Sequence, residues 1–463
     1  VGAGSAGCVL ANRLSADPAV RVLLVEAGGR DNGFWIRIPV GYRYTIGHPR
    51  TDWCYTTEPQ AGLAGRSIAF PRGRGLGGSS SINAMIYVRG QAADYDDWHL
   101  EGWRWNDLLP LFKAHETFYR GANAYHGGDG ELHVDGPRVD WEIARAVRQA
   151  CREDGILAID DCNTGDNYGV GPMDVTQRNG RRWSAADAFL HPVKHRRNLT
   201  VVTDALVERV TFAGRRATGI AYRRAETRHT ARAHRETILA AGAIGSPQIL
   251  LLSGVGPGAH LAEHGIAVIV DRPGVGANLH DHLQVRLHYR LTGTRTLNQP
   301  INSLLGRVAM ALEYLFTRRG PLTMAPSQVG LFARSDPAKV RADLGYNVIP
   351  FTRAGFDAPF DRFPGLAMCF YDLRPTSRGR LTLQSADPAA HPRLDFNYLG
   401  TAEDRAIVAA GYRVTRRIMA RPALERFRPE ELIPGRATSS ADDAALVAAA
   451  AQTASTIFHP VGS

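Results

Sequence analysis

Three glycines and one acid do most to limit how this chain can fold. It opens VGAGSAGCVLANRLSADPAVRVLLVEAGG, where Gly2, Gly4 and Gly7 are spaced G-x-G-x-x-G, Val9, Leu10 and Leu14 share one face of a following helix, and an apolar run ends at Glu26. The first glycine permits a tight turn, the second lets backbone approach a pyrophosphate, and the third lets helix and strand pack closely. Helix N-terminal amides, those of Ser5 and Ala6 among them, then face the phosphates, and Glu26 ends the second strand where a carboxylate accepts from ribose hydroxyls. The pattern predicts a doubly wound α/β unit that binds a dinucleotide. Only Val1 stands where such a sheet needs its central apolar strand, so the chain reads as a piece of a longer protein.

A second stretch separates flavin from nicotinamide. Residues 71–90 read PRGRGLGGSSSINAMIYVRG. Backbone so rich in glycine and serine builds no regular core element, yet it runs close beside a flat ring and offers N–H groups to its carbonyls. Flexible linkers seldom end in an apolar INAMIYV. Gly77, Gly78 and the run Asn83, Ala84, Met85 and Ile86 are therefore candidate contacts to a flavin.

Composition narrows the partners. A 463-residue chain that is 44% hydrophobic and 22% charged buries more than one core and reads as globular, and it holds no apolar run of membrane-spanning length. The five cysteines, Cys8, Cys54, Cys151, Cys162 and Cys369, are odd in number and contain no Cys-x-x-Cys pair, which disfavours a disulfide framework or a zinc site and favours a reducing cytoplasm. The net charge of +10 is mostly arginine scattered in short clusters such as RNGRRW at 178–183, without the aromatic interleaving of single-strand binders. Nucleic acid is thus excluded as the expected partner. Weak attraction to an acidic membrane surface fits the charge better, placing the protein in the cytoplasm or at the inner membrane face.

The opening, the GRGLGGSSSINAMIYVRG block, AAGAIGSPQILLLSGVGP at 240–257, PGVGANLHDH at 273–282 and the closing FHPVG together resemble the glucose-methanol-choline oxidoreductases, FAD-dependent enzymes that oxidise alcohols. The resemblance runs over the whole chain. It implies an FAD-binding domain from residues 1–135, 196–292 and 440–463, interrupted by a substrate domain, 136–195 and 293–439, built on an antiparallel sheet with helices. It also implies that Val207 meets the adenine through its backbone and that Ala241 and Gly242 lie near the ADP part.

His459, in the HP-x-G turn, matches the family's catalytic base, and a neutral histidine suits the removal of a hydroxyl proton as a hydride leaves for the flavin. The family's second catalytic residue lies downstream of this turn and is not in the sequence, so the piece by itself is expected to fold poorly or turn over slowly. His280 and His282 around Asp281 have a spacing that suggests metal ligands, but the family carries a similar turn as a flavin-adjacent element, and no metal is expected. HGGDG at 126–130 reads as a turn. Some relatives tether FAD through a histidine just before the asparagine; here Ile82 stands there, so FAD is expected to be noncovalent. DWCYTTEPQ and AYHGGDGELHV resemble the choline dehydrogenase branch, yet Gln328 stands where choline-oxidising relatives carry a glutamate, which turns the expectation to a neutral primary alcohol, with choline as the alternative. Electrons are expected to pass to a quinone or another carrier. A non-redox family member, a non-catalytic flavin binder and a nicotinamide dehydrogenase are the competing classes.

Overall fold

A computed structural model of the chain describes all residues except 356, 357, 436, 437 and 439–441. Helix α1 (Ser5–Leu14) follows the first glycine turn, and strand β1 (Val22–Val25) pairs in parallel with β2 (Leu199–Val202), Val22 opposite Leu199. Val1 runs beside this pair: Gly2 donates its N–H to the Val25 carbonyl, and the Val1 carbonyl accepts from Ala240. Cys8 and Ala11 of α1 pack with Ala3, Leu24, Phe189 and Leu190 in one buried cluster. The strands Ala205–Ala213, Arg216–Arg224 and Thr227–Arg232 form an antiparallel meander, and helix α2 (Gly242–Leu252) closes this unit.

The larger sheet is antiparallel. Its strands run in the order Glu430–Ile433, β3 (Leu283–Arg290), Gly365–Asp372, Leu344–Ile349, Val329–Ala333 and Gly169–Pro172, and Ser455–Thr456 also pairs with β3. GLAMCFYD is buried at seven of its eight positions, which a central strand covered on both faces requires. The helices Glu142–Glu153, Ala402–Met419 and Asp443–Thr453 contribute Val147, Tyr412 and Leu446 to the same core as Phe370. Helix Ala402–Met419 begins at Thr401, whose hydroxyl accepts from the Asp404 amide, carries Glu403 and Asp404 in its first turn and ends in Arg416 and Arg417, so side chains match both ends of its dipole.

Two segments of the expected division are placed by distant contacts. Residues 283–290, expected in the dinucleotide unit, form β3 of the large antiparallel sheet. Residues 186–190, expected in the substrate unit, pack against α1. Both depend on partners far away in sequence, Phe370 opposite Val285 for example. Local patterning carries no record of such pairings.

Candidate active site

The first glycine turn and the glycine-serine block stack on each other. Gly77 donates its N–H to the Ala3 carbonyl at 2.7 Å. A Cβ on Gly78, which holds φ at +52°, would sit 2.7 Å from the Gly4 Cα, and one on Gly7 would lie 1.8 Å from the Gly2 carbonyl oxygen. Any side chain at either place forces these backbones apart. Helix α1 starts here with Gly4 at its N-cap, no side-chain cap and no acid in its first turn. Its first amides are thus available to an anion.

This surface lines a cleft of about 470 Å³ that brings together Gly2, Gly4, Ser5, Ala6, Glu26, Gly78, Val207, Ala241 and Gly242. Gly7 is buried just behind them. A second helix N-terminus, that of α2, opens on the same cleft with Ala241 as its N-cap. Two uncapped helix starts and close glycine backbone suit a diphosphate such as that of FAD.

Glu26 stands at the cleft wall, but its carboxylate is already engaged. One oxygen accepts from Ala3 N at 2.8 Å, the other from Gly28 N at 2.9 Å and Gly75 N at 3.0 Å. Burial raises its pKa, and these three amides oppose that rise. The acid expected to meet a ribose clamps the glycine turn to residue 75.

Beyond the cleft, the block turns at Met85, wholly buried at φ +63°, while Asn83 is exposed. The Asn83 Oδ1 accepts from Met85 N and from Arg182 Nη1, and its carbonyl accepts from Arg182 Nη2 at 2.7 Å. Arg182 also donates to the Ile36 and Ser80 carbonyls. Burial pushes its pKa down to about 9. Within the basic cluster at 178–183 its sequence neighbours look alike, and only its position at the back of the block distinguishes it. The preceding Ile82 is buried, with no nucleophilic atom to offer a ring.

His459 sits in a turn held from three sides. Phe458, before it, adopts φ +70°, a strained region for a bulky residue that persists only when its surroundings fix it. Arg72 Nη1 donates to the Phe458 carbonyl at 2.6 Å, and the Phe458 N–H donates to Thr456 Oγ1 at 2.6 Å. Asp281, buried, accepts from the His459 N–H at 2.7 Å and from the Tyr398 hydroxyl at 2.6 Å, and also from Thr456. Burial raises the Asp281 pKa to about 6 despite these donors. Because Arg72 also lines the cleft, it ties the histidine turn to the cleft wall.

The side chain of His282 settles which His459 nitrogen is basic. His282 Nε2 lies 3.2 Å from the Leu373 carbonyl, a pure acceptor, so that nitrogen carries the proton of the neutral ring. His282 Nδ1 is then an acceptor, and it stands 3.2 Å from His459 Nδ1. The contact is satisfied when His459 holds its proton on Nδ1, leaving a lone pair on Nε2. The ring of His459 is exposed on one side, while the atoms packed behind it, then His282 and Arg72, lower its pKa. Water reaching the exposed side limits the depth of this lowering and leaves its sign unchanged.

The HDH triplet does not converge as ligands would. His280 Nδ1 is paired with the Asn278 carbonyl, Asp281 faces the turn, and His282 faces His459. The triplet and the HP turn are distant in sequence, so spacing could not reveal their contact. His126, expected in a plain turn, is buried between Glu116 and Asp161, which raise its pKa against the effect of burial. Gln328 is buried, with Nε2 donating to the Ala325 carbonyl.

Replacing His282 by alanine removes the acceptor that fixes the His459 tautomer. We expect flavin reduction to fall about tenfold, the worth of one hydrogen bond to the ring of about 1.4 kcal/mol. Stopped-flow reduction rates with FAD content held equal read this out, and an unchanged rate would remove His282 from the site.

Two family models described as GMC oxidoreductase match residues 1–284 and 375–463. An alcohol dehydrogenase (acceptor) from Pseudomonas putida is 40% identical over 469 residues, covering 100% of this chain and 85% of that one. The mitochondrial choline dehydrogenase of Mus musculus is 40% identical over 470 residues, covering 99% of this chain and 78% of the mouse protein. Pyridoxine 4-oxidase from Mesorbium loti superposes with a TM-score of 0.88 at 31% identity, covering 99% of this chain and 86% of its own.

Proposed function

The chain belongs to the GMC oxidoreductases, FAD-dependent enzymes acting on CH–OH donors, and we propose that it oxidises a neutral primary alcohol to the aldehyde with His459 as the base. The observation that carries this reading is the 3.2 Å contact between His459 Nδ1 and His282 Nδ1, which favours a lone pair on His459 Nε2, in a turn that Arg72 ties to the cleft wall. Bound FAD supplies the hydride acceptor, N5 of its flavin ring. Gly2, Gly4, Ser5, Ala6 and Gly7 hold the diphosphate, Glu26 the ribose side, Val207, Ala241 and Gly242 the adenosine end, and Gly77, Gly78 and the run from Asn83 through Ala84 and Met85 to Ile86 the ring. No residue in this set tethers the cofactor, which binds noncovalently. His459 Nε2 takes the hydroxyl proton, His282 holds the tautomer, and Asp281 holds the turn. Electrons then leave to a quinone or another carrier.

An apolar cavity of about 860 Å³ supports the choice of a neutral substrate. Two residues of its wall neighbour contacts to the glycine-serine block in the chain: Arg181 precedes the Arg182 that holds Asn83, and Met324 precedes the Ala325 that packs in one cluster with Met85. Arg37, Arg43, Arg181, Arg307, Arg318 and Arg353 line it, and no carboxylate does among the described residues. Such a wall offers a quaternary ammonium no carboxylate to balance it, and Arg37 already pairs with Asp187. Anaerobic titration with aliphatic and aromatic primary alcohols and with choline tests this, the flavin band bleaching with the neutral alcohols and not with choline. Bleaching by choline alone would make the protein a choline dehydrogenase. A flavin that no alcohol bleaches points to a non-redox family member.

The lowered His459 pKa also fixes a pH response. A base acts only when neutral, and a pKa below 6.5 keeps it neutral into more acidic solution. The acid limb of kcat/KM for flavin reduction is therefore expected below pH 6.5, with a flat profile from there to pH 8. A limb centred above pH 7 would mean that the base is protonated more easily than its surroundings allow.

A further inference from the structure

Helix α3 (Leu304–Thr317) presents an apolar face to water. Of its fourteen residues only Met310 and Tyr314 are buried. Leu305 and Phe316 are 82% and 79% exposed, and Leu304, Val308, Leu312 and Leu315 are exposed as well. Positions 305, 308, 312, 315 and 316 form one stripe along the helix, where a water-facing helix carries polar residues. Across the mouth of the apolar cavity, Phe34, 70% exposed, and Tyr44 add to the same rim. The charge around this stripe is basic: Arg307 on the helix and Arg318 and Arg319 just past its end stand against the helix's one acid, Glu313. Arg318 lies over the Tyr314 ring at 4.8 Å, an apolar stem under a charged head.

We propose that this face docks on an acidic lipid surface, with α3 lying in the plane of the interface, its leucines and Phe316 in the acyl boundary and its arginines among the headgroups. An exposed apolar stripe flanked by arginines has the make-up of a helix that lies on a bilayer, and charge complementarity chooses that occupant. A second copy meeting this face across a two-fold axis would set arginines against arginines. No described helix is long and apolar enough to cross a membrane. The docking rests on this surface alone; its consequence, that an apolar alcohol enters the cavity from the lipid side, rests on the alcohol reading above.

Co-sedimentation of the FAD-loaded protein with phosphatidylcholine vesicles, with and without phosphatidylserine, tests the docking. The protein should pellet with the serine-containing vesicles and be released by high salt. The Leu305→Glu, Phe316→Glu double variant, changed only at exposed positions, should lose roughly tenfold of the bound fraction. Its flavin bleaching by a water-soluble alcohol should stay unchanged, so failure of docking and failure of the alcohol reading appear in different assays. Equal pelleting with both vesicle types, no pelleting with either, or a dimer that the double variant dissociates would each overturn the proposal.

Discussion

Replacing His459 with alanine is expected to cut the rate of flavin reduction by a factor on the order of 100 to 10,000, the range a positioned general base supplies. FAD content should be unchanged, because the turn that carries His459 is held through backbone and through Arg72, Thr456 and Asp281 rather than through the imidazole. Anaerobic stopped-flow reduction at a saturating alcohol concentration, normalised to bound flavin, gives the comparison. Its pH dependence makes the test specific. The alanine variant should respond to rising pH with a steady gain as more substrate alkoxide forms in solution, while the parent is flat above pH 6.5. Reduction as fast in the variant as in the parent would leave the chain without its proton acceptor, and the mechanism proposed above would fall.

Removing the Glu26 side chain is expected to be the most damaging change near the cofactor. In Glu26→Ala three backbone amides, Ala3, Gly28 and Gly75, lose their acceptor in a buried setting. At about 1–3 kcal/mol for each donor left unpaired, the variant should lose roughly 3 kcal/mol of stability or more. The loosened glycine turn should release FAD as well. Glu26→Gln is the milder change: its one carbonyl oxygen still serves Gly28 and Gly75, while its NH2 group meets the Ala3 N–H, so a single bond is lost. Thermal unfolding and the FAD dissociation constant should therefore rank parent, glutamine, alanine. An alanine variant that melts like the parent would show that the clamp contributes nothing and that the acid serves only the ribose.

That the glycine turn and Glu26 cluster was legible because they are near neighbours in sequence. Gly2, Gly4, Gly7 and Glu26 lie within one βα turn and the strand after it, and backbone approach to a phosphate demands glycine at set intervals. The structure gathers nearly all of that set around one cleft. The glycine-serine block was legible for the same reason, and Gly78 does lie against Gly4. What local reading missed is held together by contacts between distant segments. Arg182 looks like one arginine of a surface cluster, yet it is buried at the back of Asn83. His282 looks like one arm of a ligand triplet, yet it faces His459 across 177 positions of sequence.

The sequence by itself determined the family, the mixed α/β class, the cofactor and the kind of reaction, because each depends on short stretches whose residue types are fixed by backbone geometry or by the proton that must move. Only the tertiary structure decided which nitrogen of His459 faces His282, that Glu26 clamps the glycine turn, that residues 283–290 join the antiparallel sheet, and that α3 turns its leucines to solvent. Each of these follows from a pairing or a burial between segments far apart in the chain. Hydrogen bonds and solvent exposure are properties of that packing, and residue order alone does not contain them.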